Sequence, residues 1–241
     1  MTVADEIIDA LRTLGSEDKA KHLSRFFKTG KGEYGEGDKM LGVKVPETRT
    51  IVNEYKDIPL EQVQTLLDSE WHEVRLCALL ILVKRMKSSR TTDKEREDIY
   101  EFYLKNTHRC NNWDLVDMSC RDILGEYIYD KDRSVLYELA ESDSLWEQRI
   151  AIVSTWAFIK RGDFEFTFRL AVRYINHPHD LIQKATGWML REVGKVDKES
   201  LTEFLEEYAD QLPRTTLRYA IERYPESERN YFMSLKRIKR T

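Results

Sequence analysis

Apolar residues recur at helical spacing in segment after segment of this chain, separated by short polar stretches. Residues 4–14, 17–28, 47–56, 59–68, 92–105, 132–141, 164–175, 198–210 and 226–239 read as helices. Thr92-x-x-Glu95 is a capping box, which marks a helix start. Pro46, Pro59, Pro178 and Pro213 stand at or before predicted starts, where a missing N–H costs nothing. Between these helices lie segments that look like copies of one another. Trp71–Ala78, Leu145–Ile152, Asp180–Gly187 and, more weakly, Thr216–Ile221 each carry a cation into an apolar run. The cations are Arg75, Arg149, Lys184 and Arg218. The last three are about 35 residues apart and the first gap is about twice that, so a missing copy falls near residue 112. Paired helices repeating at this period predict an all-α, HEAT-like helical-repeat solenoid, curved, with its concave face as the default place for a partner. No linker divides the chain, so a single domain over 1–241 is expected.

Composition narrows the classes. Five prolines and ten glycines in 241 residues disfavour a β-sandwich. The N-terminus has no basic stretch of the kind that opens a signal peptide. The longest apolar run, Leu76 to Val83, is far short of a membrane span. Cys77, Cys110 and Cys120 lack metal-like spacing, and their odd number points to reduced thiols and a cytoplasmic protein. The net charge of −4 speaks only weakly against a nucleic-acid partner, because the acids cluster, at Glu95, Glu97 and Asp98 and at Glu203, Glu206 and Glu207. One face can be basic while another is acidic.

The chemistry concentrates in Asn111-Asn112-Trp113-Asp114-Leu115-Val116-Asp117. In a helix over 113–123, Trp113 and Asp117 share a face one turn apart. A tryptophan beside a carboxylate suits a sugar ring or a cation better than a dry core. Asp114, at the helix start, complements the dipole with Asn111 or Asn112 as cap, a structural role. Asp117 lies a full turn inside, where Asp is a poor helix former, so a functional role is the stronger reading. Trp188 lies among Lys184, Arg191 and Lys195, which fall at i, i+4, i+7 and i+11 with it and form a basic stripe. Trp146 and Trp156 read as core. The cations at 75, 149 and 184 fit a phosphate track or a set of ion pairs between repeats, and their spacing leaves both readings open. Gly30-Lys31-Gly32-Glu33-Tyr34-Gly35 matches GxGxxG, but no strand precedes it, so a polar loop running to Asp38 is expected rather than a nucleotide site. His177-Pro178-His179 has no third ligand, and neither a metal nor another cofactor is expected.

These motifs carry a resemblance. Trp113-Asp114-Leu115-Val116-Asp117, Leu145-Trp146-x-Gln148-Arg149-x-Ala151 and Ile182-Gln183-Lys184-Ala185-x-Gly187-Trp188-x-Leu190-Arg191-Glu192 resemble the AlkD-like DNA alkylation repair family, the HEAT-like-repeat alkylpurine DNA glycosylases. Leu41–Arg49 is also similar to the family's early helix start. The resemblance implies a single superhelix with a basic concave face for duplex DNA. It implies that Asp117 matches the catalytic carboxylate, that Trp113 and Trp188 match the aromatic pair around the damaged nucleotide's deoxyribose, and that Arg149 matches a backbone-contacting arginine. Lys44, Arg49, Lys184, Arg191, Lys195, Arg214 and Arg218 are the cations expected to meet the DNA. The implied activity is monofunctional hydrolysis of the N-glycosidic bond of cationic N3- or N7-alkylated purines in duplex DNA, with no lysine nucleophile and no base-flipping pocket. A monomer is expected. Two departures stand out: the Gly30–Asp38 loop is longer than the family's, and Val45 replaces a polar residue near the DNA. The competing readings are a non-catalytic HEAT-repeat binder of damaged or branched DNA, which needs no Asp117, and a protein-interaction scaffold, against which the cations at 149, 184, 191 and 195 speak.

Overall fold

The computed structural model describes residues 1–238. Among them every regular element is a helix, and the sole β feature is an isolated bridge between Lys39 and Trp71. The expected all-α architecture is therefore the one observed. The chain forms two compact units, Met1–Tyr127 and Ile128–Thr241.

In the first unit the helices are α1 (Val3–Leu14), α2 (Glu17–Phe26), α3 (Val45–Glu54), α4 (Leu60–Leu67), α5 (His72–Met86), α6 (Asp93–Lys105) and α7 (Trp113–Asp117). A helical stretch with π-type bonding, Arg121–Gly125, follows. Helix α5 is the unit's axis. Every residue from His72 to Val83 is buried, and α3, α4, α6 and the π stretch all pack against it. A helix that is buried all round reads as an unbroken apolar run, which is why Leu76 to Val83 has no polar face. Its N-terminus is built on a second device. The Glu73 carboxylate accepts the N–H groups of Leu41, Gly42 and Val43 at 2.8, 2.8 and 3.2 Å, which fastens the segment before α3 onto α5. Gly42 holds a left-handed φ of 83°, and a Cβ there would collide with the Ser16 carbonyl.

The second unit contains α8 (Val135–Glu141), α9 (Leu145–Ser154), α10 (Trp156–Ile159), α11 (Glu165–Arg173), α12 (Asp180–Val196), α13 (Lys198–Tyr208), α14 (Arg214–Ala220) and α15 (Glu226–Ser234). Here α12 is the axis, packed against α9, α11, α13 and α14. The closest approach is at Gly187. A Cβ there would collide with the Thr216 carbonyl and stand 2.5 Å from Tyr219 Cβ. Thr216 Oγ1 adds a hydrogen bond to the Gln183 carbonyl at 3.1 Å, so the α12–α14 crossing is fixed one residue before Trp188.

Most predicted helices stand within a few residues of their observed bounds, and the Thr92–Glu95 capping box is present. The last helix ends at Ser234, before the predicted limit; Lys239, in that limit, lies outside the described residues. Trp146 and Trp156 are half-buried rather than core, and the Lys160 ammonium stands 4.4 Å from the Trp156 ring centre.

The α12–α14 crossing yields a direct expectation. Gly187→Ala forces a methyl group into a backbone carbonyl, and overpacking of this kind costs about 1–3 kcal/mol. Chemical denaturation should show a loss of that size. An unchanged midpoint would mean that the two helices are not held as close as described.

Candidate active site

Helix α7 is short because of its own sequence. Asn112, in extended backbone, accepts the Trp113 N–H on its side-chain oxygen at 2.9 Å, which makes it the cap. Its amide group donates to the Phe27 carbonyl at 3.2 Å, so the start of α7 is tied to the end of α2. The helix was expected to run to residue 123, yet it stops at Asp117. Ser119 explains the break: its hydroxyl donates to the Leu115 carbonyl at 2.6 Å and competes with the regular helical bonds. The chain then re-enters a helix through the π-type stretch, a feature common where a helix is interrupted at a site. Asp114, Leu115 and Val116 are buried, whereas Trp113 and Asp117 are half-buried and one turn apart.

Trp113 is backed by aromatic rings. Its ring centre lies 5.3 Å from that of Phe27 and 5.7 Å from that of Phe26, which meets it nearly edge-on. Phe26 is 55% exposed, and α2 carries no buried residue at all. The sequence offered a signal here that the helical reading passed over: two phenylalanines ending an otherwise charged helix.

Below this aromatic wall lies a buried polar chain. His72 donates from Nε2 to Asp114 at 2.8 Å and from Nδ1 to Asp38 at 3.0 Å. With both ring nitrogens on carboxylates, the imidazole is an imidazolium. Burial pushes its pKa down, but the Asp114 and Asp38 carboxylates outweigh burial and raise it to about 9. Asp38 also receives the Arg75 guanidinium and the Asn111 amide group, the latter at 2.8 Å. Burial opposes ionisation of Asp38, but its bond to His72 and the charge of Arg75 hold its carboxyl below the usual range. Two carboxylates thus meet two cations. Asp114 keeps the structural role expected of it, through a buried ion pair rather than a helix dipole alone. The Gly30–Asp38 loop, read as a polar connection, supplies one end of this chain.

The expected cations fall into distinct settings. Arg149, Lys184 and Arg218 each stand four residues after the first residue of their helices, Leu145, Asp180 and Arg214. Asp117 holds the same position after Trp113, so the copy near residue 112 carries an acid where the others carry a base. Arg75 is buried and donates to the Ser69 carbonyl at 2.8 Å as well as pairing with Asp38. Arg149 is 6% exposed and donates to the Leu181 carbonyl at 2.7 Å, which links α9 to the start of α12. Both therefore tie their helices to neighbouring segments. Lys184 pairs with Asp180 at 2.7 Å, Lys195 with Glu192 at 2.7 Å, and Arg191 with Glu222. Trp188 is half-buried, and its indole N–H donates to Glu192 at 3.0 Å. The stripe around Trp188 is thus matched by carboxylates that the helical spacing of the cations did not reveal. Arg214 donates to the Leu235 carbonyl, while Lys44, Arg49 and Arg218 are exposed. The His177–His179 pair is used locally: His179 Nδ1 accepts the Leu181 N–H at 3.2 Å and caps α12.

The buried imidazolium sets a pH dependence. A group whose pKa is raised on folding stabilises the fold fully below its unfolded value, 6.5 here, and loses that contribution as pH rises through its folded value, about 9. The thermal midpoint should fall between pH 6.5 and 9.5. His72→Leu leaves two buried carboxylates without their shared partner, which costs about 3–5 kcal/mol. A flat midpoint across this range, or a His72→Leu protein as stable as the parent, would contradict the charged triad.

Comparison with known proteins bears on the whole chain. The sequence model of the DNA alkylation repair enzyme family matches residues 7–224. A solved structure described as "Predicted DNA alkylation repair enzyme from Enterococcus faecalis" superposes with a TM-score of 0.67 at 15% identity, covering 88% of this chain and 97% of that one. At that identity the likeness carries the fold. No curated protein sequence matches.

Proposed function

We propose a reaction for a chain that belongs to the DNA alkylation repair enzyme family: hydrolysis of the N-glycosidic bond of N3- or N7-alkylated, cationic purines in duplex DNA. The observation that carries the proposal is the placement of Asp117 with Trp113 at the two ends of α7, both half-buried, in a repeat position that elsewhere holds a base. The whole chain, 1–241, acts as one HEAT-like domain and as a monomer in this reading.

An alkylated purine is positively charged and leaves readily, so no strong general acid is needed. The barrier lies in the positive charge that grows at C1′ as the bond breaks. A carboxylate fixed beside that carbon stabilises the oxocarbenium-like transition state and orients the attacking water. Asp117 takes this role. Trp113 offers its face to the cationic sugar, and Phe26 extends the aromatic surface beside it. In the second unit, Trp188 takes the other aromatic contact with the deoxyribose and Arg149 the lesion strand's backbone. Lys44, Arg49, Lys184, Arg191, Lys195, Arg214 and Arg218 take phosphates. Lys184, Arg191 and Lys195 must exchange their carboxylate partners for phosphate to do so, which tempers what each contributes.

Asp117→Asn preserves size and removes the charge. Single-turnover release of 7-methylguanine from duplex DNA should fall by roughly 10² or more, the scale for one preorganised electrostatic group. Affinity for the duplex should hold, because an acid does not help to bind phosphates in the ground state. Release at the parent rate would remove Asp117 from the chemistry. Duplex binding by the parent without release of any alkylated base would favour the non-catalytic DNA-binding reading.

A further inference from the structure

A groove of about 620 Å³ lies between α3, the C-terminal half of α5 and the turn into α6. Its lining is strongly one-sided. Six cations, Arg49, Lys56, Lys84, Arg85, Lys87 and Arg90, face two carboxylates, Asp57 and Glu95, in a chain whose net charge is negative. Glu95 is already bound to the Thr92 backbone N–H and hydroxyl as the capping box of α6, each at 2.8 Å. Arg49, Lys56 and Arg90 have no ion-pair partner among the described residues.

Cations in the last turn of a helix commonly offset the helix dipole. In α5 that need is met by other groups. Thr91 Oγ1 donates to the Arg85 carbonyl at 2.7 Å, and Arg96 donates to the Met86 and Ser88 carbonyls at 2.9 and 2.7 Å. Arg85 itself donates to the Ile58 carbonyl at 3.2 Å, Lys84 binds Asn53, and Lys87 pairs with Asp122 at 2.9 Å while remaining 61% exposed. The helix end is satisfied, and a positive excess is left over on Arg49 of α3, on Lys56 just after it and on Arg90 in the turn before α6. A single small anion needs two or three such charges. Cations spread over α3, the turn after it, the end of α5 and the turn into α6 suit a polyanion that carries several charges.

We propose that this groove is a phosphodiester-binding site that grips the backbone of duplex DNA outside the reacting nucleotide, with Lys56, Lys84, Lys87 and Arg90 as its contacts beside Arg49. The site rests on the DNA reading given above and is independent of the chemistry at Asp117. Its contribution is electrostatic and indifferent to sequence, so it holds undamaged duplex as well as damaged.

The test is binding of an undamaged duplex across a salt series by fluorescence anisotropy. The proteins are the parent, a Lys56→Gln/Arg90→Gln double variant and a Lys21→Gln/Lys31→Gln double variant, which removes two exposed lysines outside the groove. Each phosphate contact contributes roughly one unit to the slope of log affinity against log salt. The groove variant should lose roughly two units of slope, and the other variant should match the parent. Melting curves establish that both variants are folded. Equal slopes for parent and groove variant would overturn the proposal, as would an equal loss in both variants or no duplex binding by the parent at low salt. Base release by the parent is followed separately: slope loss without any release supports the groove and counts against the excision reading alone.

Discussion

The first unit depends on one buried balance of charge: the Asp38 and Asp114 carboxylates share the His72 imidazolium, and Arg75 closes on Asp38. Each charge would be costly to bury alone. Together they join three parts of the chain that are far apart in sequence. Asp38 ends the glycine-rich loop, His72 and Arg75 open α5, and Asp114 sits in the first turn of α7. The network therefore fixes where α7 starts, and with it where Trp113 and Asp117 stand. Phe27 continues the same contact, lying 4.9 Å from the His72 ring and 5.3 Å from the Trp113 ring. The bonds from the His72 ring to the two carboxylates are directional and specify one arrangement, while Asp114 Oδ1, Arg75 Nε and Asn111 Oδ1 are buried without a hydrogen-bond partner.

Much of the fold was legible in the sequence because helices announce themselves locally. The period of the apolar residues, the Thr92–Glu95 box and the prolines at helix starts are all short-range signals, and the observed helices follow them. A cap of α7 at Asn111 or Asn112 was legible for the same reason, and Asn112 is the one that takes it. What escaped was long-range. Nothing within a few residues of Asp114 marks His72 as its partner, and nothing near Asp38 marks Arg75. The end of α7 at Asp117 escaped as well, since a serine in a helical stretch is unremarkable until its hydroxyl turns back onto the Leu115 carbonyl. That Trp113 and Asp117 stand one turn apart was legible, because that relation needs only the helical period.

The cations teach a related lesson. A basic residue at a fixed place in each repeat fits two physical needs, holding helices together and meeting a phosphate, and spacing cannot separate them. Burial and bonding show which of them already hold the fold: Arg75 and Arg149 are inside and bonded to carbonyls of neighbouring segments, whereas Arg218 is outside. The stripe on α12 carries its own carboxylates. In the first unit a local cluster of positive charge lies instead in the groove beside α3 and the end of α5, where the sequence shows only scattered lysines and arginines.

If the buried charge balance seats α7, loosening it must loosen that helix before the rest of the unit. The direct measurement is native-state amide hydrogen exchange of the parent and of Asp38→Asn, which keeps the shape and removes one carboxylate charge. Faster exchange is expected at the amides of residues 115–118 in the variant, while the amides in the middle of α5 keep the protection of global unfolding. Equal exchange at 115–118 in both proteins would contradict it, for α7 would then be held by its apolar contacts alone.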